Sequence, residues 1–156
     1  MARLALLRGG EPPVVWETNP VRADAGSLYP VIHPDTDTVT RHDYGAVYDV
    51  SGDSNLLDSL IKRLRRGGEV VLAGFYSAPL TFNFPPAFLR EARIRVAAEW
   101  SPSDLAAVRK LVETGKLSLD GLITHRAEAT DASKAYNTAF GDPACLKMIL
   151  DWRRCS

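Results

Sequence analysis

The sequence predicts a single α/β layer structure, a parallel sheet with helices on both faces. Short apolar runs that end in turn residues alternate along the chain with segments of helical periodicity. One run, 69–75 (EVVLAGF), is almost continuously apolar, as in a parallel-sheet strand covered on both sides. A chain of 156 residues fits one domain and can bury about 68 to 70% of the surface its unfolded form exposes.

The elements follow in order. MARLALLRGG reads as the end of a helix closed by Gly9 and Gly10. The run 13–16 is a short buried strand that leads into a loop at Glu17, Thr18, Asn19 and Pro20, and 29–32 is a second, stopped by His33 and Pro34. The polar stretch 34–43, with Val39 inside it, is expected to be a surface loop. A strand at 46–50 is followed by Ser51, Gly52, Asp53 and Ser54, which supply turn and N-cap chemistry. Leu56, Leu57, Leu60, Ile61 and Leu64 then recur at helical spacing, with Lys62, Arg63, Arg65 and Arg66 in the last turn and Gly67–Gly68 as the stop. With 69–75 this makes a right-handed strand–helix–strand crossover.

Further on, 80–84 and 93–98 read as a pair of strands from their β-favouring composition. Ser101 and Pro102 open a helix carrying Leu105, Val108, Leu111 and Val112, closed by Gly115. The segment 131–140 is another helix, and 144–150 suits helix or strand equally by periodicity. No repeat and no linker divides the chain, so one domain is expected.

Nineteen basic residues balance nineteen acidic ones, which removes the simplest electrostatic case for nucleic acid or an anionic membrane. The longest apolar stretch, 70–80, is broken by Gly74 and Pro79 and is far short of the roughly 18 residues a membrane span requires. Two cysteines, Cys145 and Cys155, with no secretory signal argue against a disulfide framework and for a reducing cytoplasm. His33, His42 and His125 show no zinc-ligand spacing with one another or with the cysteines, so no metal site is expected. Ser51 lacks the G-x-S-x-G elbow of a nucleophile and reads as a cap. His125 reads as a surface or capping residue, and the 62–66 basic run as a helix end. Lys147 is a lone cation in an apolar segment, which snorkelling would explain.

Glu17 closes an apolar strand, and a carboxylate there is costly to bury unless it faces a loop with something to bind. In a dinucleotide-binding fold an acid at this place accepts hydrogen bonds from the adenosine ribose and repels a 2′-phosphate, which selects NAD over NADP. The bland alternative is an exposed strand-end acid. No G-x-G-x-x-G occurs, and only sixteen residues precede Glu17, so the first strand and its phosphate loop would fall before Met1. Ser51–Gly52 and Gly74–Phe75–Tyr76 follow two expected parallel strands, where open α/β sheets bind ligands. Each alone reads better as a tight turn; together with Glu17 they suggest a cleft.

The segments VVWETNP, YDVSGD, GGEVVLAGFY, FPPAFLREARIRVAAEW, LSLDGLITHR and DPACLKMILDW resemble the C-terminal, nucleotide-binding half of medium-chain alcohol dehydrogenases. Within that family the second half of the set is most similar to dehydrogenases of bacteriochlorophyll biosynthesis. The resemblance implies a Rossmann-like, three-layer fold lacking its first strand and Gly-rich loop, with the N-terminal catalytic domain absent. It implies NAD as cofactor and, in the full enzyme, a bacteriochlorophyllide whose 3-(1-hydroxyethyl) group is oxidised to 3-acetyl, the chain alone being inactive. By the same resemblance Glu17 and Arg22 flank the adenosine ribose, Val50, Ser51 and Gly52 lie at the adenine side, Gly74 and Phe75 lie beneath the nicotinamide, and Lys147 approaches the pyrophosphate. No catalytic residue is expected in this chain. A homodimer through the 80–84 strand is implied as well. The rival readings are another adenosine-cofactor protein, such as a methyltransferase, and a non-catalytic dimerisation module.

Overall fold

The computed structural model describes residues 1–23, 28–38 and 41–154; Cys155, and Val39 of the expected 34–43 loop, lie outside the described residues. The chain divides into two compact units, one made of Met1–Asp37 with Pro102–Ser156 and the other of Thr38–Ser101.

The first unit begins with α1 (Ala2–Leu6), which ends ahead of Gly9 and Gly10, both at positive φ. Arg3 donates to the carbonyls of Ser118 and Asp120, each at 2.8 Å, and so ties the N-terminus to the far segment of its unit. Strand β1 (Val15–Trp16) is followed by α2 (Pro20–Ala23), whose first turn suits Pro20 because a missing N–H costs nothing there. The Asn19 side chain accepts from the Val21 N–H at 3.0 Å. Strand β2 (Val31–Ile32) pairs with β1 in parallel, Val15 opposite Val31.

The second unit carries β3 (Tyr44–Asp49), α3 (Leu57–Lys62), β4 (Leu64–Leu72), α4 (Phe84–Leu89) and β5 (Arg93–Val96), with sheet order β3-β4-β5, all parallel. Leu57, Leu60 and Ile61 of α3 are buried with Leu64, Val70, Val71 and Leu72 of β4, and Ile61, Leu64, Val70 and Val71 are the largest fully enclosed side chains. The apolar spacing that predicts the helix therefore also supplies half of the core.

Two expectations fail in this unit. The helix stops at Lys62, and Gly67–Gly68 belong to β4. Tyr44 pairs with Leu64 but Ala46 pairs with Glu69, so residues 65–68 bulge out of the ladder. Gly67 sits at φ 72°, and a Cβ on Gly68 would stand 2.9 Å from the Tyr44 carbonyl oxygen. The 80–84 strand is also absent within the chain: 80–83 is irregular and Phe84 opens α4. Pro85 and Pro86 fix φ at the helical value where no N–H is needed, while the Asn83 N–H is held by the Asp58 carboxylate at 2.7 Å.

Returning to the first unit, α5 (Pro102–Glu113) is the helix read between Ser101 and Gly115, although none of its residues is buried. Strand β6 (His125–Glu128) was not expected; α6 (Ala132–Gly141) was, and β7 (Met148–Asp151) resolves the ambiguous 144–150 segment as a strand. β6 and β7 pair in parallel, His125 opposite Met148. Ala129, Ala135, Leu117 and the free Cys145 are the buried apolar residues here. Among the described residues no helix is long and apolar enough to cross a membrane.

Candidate functional site

Within the first unit, Glu17 is the residue after β1; its N–H continues the ladder to the Ile32 carbonyl at 3.1 Å, which fixes where its side chain leaves the strand. The carboxylate is half-buried. Its Oε1 accepts from the Asn19 N–H at 2.8 Å, and Oε2 has no partner among the described residues. Arg22 on α2 donates through Nε to the Pro143 carbonyl at 3.0 Å, and its terminal amino groups have no partner among the described residues. That bond connects α2 to the 142–147 loop, at whose end Lys147 stands exposed, its ammonium unpaired among the described residues. The unit thus brings Arg22 to the loop of Lys147. The donor set, one carboxylate oxygen open to hydroxyls and two cations open to an anion, fits a sugar and phosphate.

The same loop shows residues that sequence reasoning missed. Thr124 Oγ1 accepts from the Leu146 N–H at 3.0 Å and lies 2.9 Å from His125 Nδ1. His125 Nε2 is 3.7 Å from Asp142 Oδ2. A Thr–His pair at the start of an unnoticed strand was the available signal.

In the second unit the ends of β3 and β4 carry the other expected residues, and the structure brings these together. Asp49 ends β3 almost fully buried; its Oδ1 accepts from the Ser51 N–H at 2.9 Å and the Ser51 hydroxyl at 2.7 Å, which answers for the burial of a charged group. Ser51 Oγ in turn accepts from the Asp53 N–H at 3.0 Å, so Ser51 serves this turn and not the helix cap expected of it, the N-cap of α3 being Leu56. Gly52, at φ 77°, packs on the next turn so closely that a Cβ would stand 2.7 Å from the Phe75 carbonyl oxygen. A Cβ on Gly74 would stand 2.8 Å from the Gly52 nitrogen. Val50 is exposed, and Phe75 is 97% exposed. Tyr76, unremarked in the sequence except by position, reaches the Asp49 carbonyl at 3.4 Å. Burial first, and the neighbouring Asp49 second, push its phenol up to about 12, so it remains a donor at neutral pH.

With this geometry in view, the chain compares closely with known dehydrogenases. It is 58% identical over 153 residues, 98% of its length, to the 2-desacetyl-2-hydroxyethyl bacteriochlorophyllide A dehydrogenase of Rhodobacter capsulatus, and equally to that of Cereibacter sphaeroides. The match falls on the C-terminal part of each of these two relatives. It spans about half of those two relatives, 48% of each. Among solved structures, the L-idonate 5-dehydrogenase of Escherichia coli superposes with TM-score 0.84 at 17% identity, over 96% of this chain and 45% of that one. An alcohol dehydrogenase of E. coli CFT073 in complex with NADH (TM-score 0.76, 17% identity, 88% of this chain and 43% of that one) shares the fold. So does a dehydrogenase of Sinorhizobium meliloti bound to NADP (TM-score 0.78, 17% identity, 96% of this chain and 47% of that one). The parallel, Rossmann-like architecture expected from the sequence is therefore present, and dehydrogenases of this fold bind NAD or NADP. No family model matches the chain.

Proposed function

We propose that this chain is the dinucleotide-binding part of an NAD-dependent dehydrogenase that oxidises the hydroxyethyl side chain of a bacteriochlorophyllide. The observation that supports NAD is Glu17: a half-buried carboxylate at the end of a parallel strand, one oxygen spent on Asn19 and the other open. The open oxygen accepts a ribose hydroxyl, and its charge opposes a 2′-phosphate. Arg22 flanks the sugar and Lys147 takes the pyrophosphate. The paired turns offer flat rings the backbone and small side chains of Ser51, Gly52 and Gly74 and the exposed apolar faces of Val50 and Phe75. Bound NAD would take the hydride as the alcohol becomes a ketone. The two relatives named for that substrate suggest the bacteriochlorophyllide, and a homodimer goes with the same reading.

Titration of the chain with NAD, NADP and S-adenosylmethionine tests this. NAD is expected to bind more tightly than NADP. Glu17→Ala should weaken NAD by about tenfold or more, the worth of a hydrogen bond to a charged group, and NADP much less. Equal loss for both removes the selectivity argument. Binding of S-adenosylmethionine alone supports a methyltransferase, and binding of none supports a dimerisation module. Light scattering at tens of micromolar reads the dimer, and a clean monomer counts against it.

A further inference from the structure

Both ends of the 142–147 loop rest on one dipeptide. The N–H groups of Thr124 and His125 each donate to the Lys147 carbonyl at 3.2 Å. The Thr124 hydroxyl accepts from the Leu146 N–H at 3.0 Å and is approached by the Lys147 N–H at 3.5 Å. At the other end His125 Nε2 faces Asp142, whose second carboxylate oxygen accepts from the Ala144 N–H at 2.8 Å. Between these anchors the Pro143 carbonyl holds Arg22.

A threonine hydroxyl has one proton and two lone pairs. Here the two amide N–H groups approach the lone pairs, so the proton is directed to His125 Nδ1, 2.9 Å away. That leaves the neutral imidazole with its own proton on Nε2, toward Asp142. One orientation of the hydroxyl therefore satisfies the loop amides and sets the histidine tautomer at once.

We propose that Thr124 and His125 are positioning residues that hold the 142–147 loop so that Lys147 and Arg22 present their charges to one anionic ligand. This rests on the reading above for the ligand being a dinucleotide pyrophosphate. His125 touches no ligand in this scheme; it acts through Thr124 and Asp142.

The test uses the full chain, labelled with nitrogen-15. Long-range proton–nitrogen correlation at a pH where the ring is neutral should show His125 protonated at Nε2 and bare at Nδ1; the opposite tautomer overturns the relay. Thr124→Val keeps the shape and removes the hydroxyl. It should speed amide exchange at Leu146 by tenfold or more, and Thr124→Ser should restore slow exchange. In NAD titrations Thr124→Val should cost several-fold in affinity, and it should cost less once Lys147 is alanine, only the share carried by Arg22 remaining. Unaltered Leu146 exchange in Thr124→Val, or additive losses in the double variant, overturns the proposal. Absence of NAD binding by the unsubstituted chain overturns the cofactor reading instead, while the tautomer and exchange results still decide the relay.

Discussion

The two units differ in what holds them together. Among the described residues, eight of the twelve buried apolar ones, Leu57, Leu60, Ile61, Leu64, Val70, Val71, Leu72 and Ala87, belong to Thr38–Ser101. The other unit has four, three of them no larger than a cysteine, and relies on side chains that reach backbone carbonyls across long sequence separations, as Arg3 and Arg22 do. The expected site residues divide the same way. Glu17, Arg22 and Lys147, proposed to act by charge, lie where polar ties set the backbone; Gly52 and Gly74, proposed to act by shape, lie beside the packed core. Burial fixes backbone position closely enough for glycine-on-glycine contact, whereas charged groups need only be aimed and left partly unpaired.

Substitutions can break that contrast. Ile61→Ala should be the most damaging, costing about 2 to 5 kcal/mol of stability by urea unfolding, because the side chain is wholly enclosed. Leu105→Ala on the exposed α5 should stay within about 0.5 kcal/mol. Gly52→Ala comes next, at about 1 to 3 kcal/mol, since it meets both a positive φ and the Phe75 oxygen. Gly121→Ala in the other unit has a similar φ with open space around it, and should cost only the backbone strain, about 1 kcal/mol. Equal losses for the two glycines would dissolve the distinction between shape and charge.

Titrations sharpen it with smaller effects. Tyr76 should ionise near 12 in an absorbance titration, and Tyr76→Phe should remove that step. Its phenol lies above the ordinary 10.0, so its contribution to stability is full below that value and is lost as pH rises through about 12. Asp151 behaves in the opposite sense. Hydrogen bonds from Arg153 hold its carboxyl at about 2, below the ordinary 3.8, so its contribution is present above 3.8 and fades as pH falls toward 2. Asp151→Asn should flatten acid unfolding in that window only slightly, because the pair is exposed to solvent.

Local periodicity made much of this fold legible. Leu57, Leu60 and Ile61 announce α3 because their spacing and their burial are the same fact. Gly67 misleads because a positive-φ glycine serves a helix end and a strand bulge alike, and only the pairing of Leu64 with Tyr44, some twenty residues away, decides between them. β6 is hidden because His125, Arg126 and Glu128 give four residues no apolar contrast, and its partner β7 is too short for a period to be measured. At the candidate site, Glu17 and Lys147 stand out as charges in apolar runs. Thr124, His125 and Asp142 do not, since their meaning lies in bonds between segments the sequence keeps apart.

The β4 bulge bears on how the molecule meets a protease. The run 62–66 offers trypsin four basic residues, Lys62, Arg63, Arg65 and Arg66, a denser target than any other five residues of the chain. Yet Leu64 between them is fully enclosed, Arg90 donates to its carbonyl at 3.0 Å, and the Gly67 N–H is held by the Arg90 carbonyl at 2.7 Å. Cleavage there must wait for the sheet to open, so the first nicks should fall at exposed sites such as Arg8, ahead of two glycines, and the arginine-rich segment should emerge intact inside the most resistant fragment.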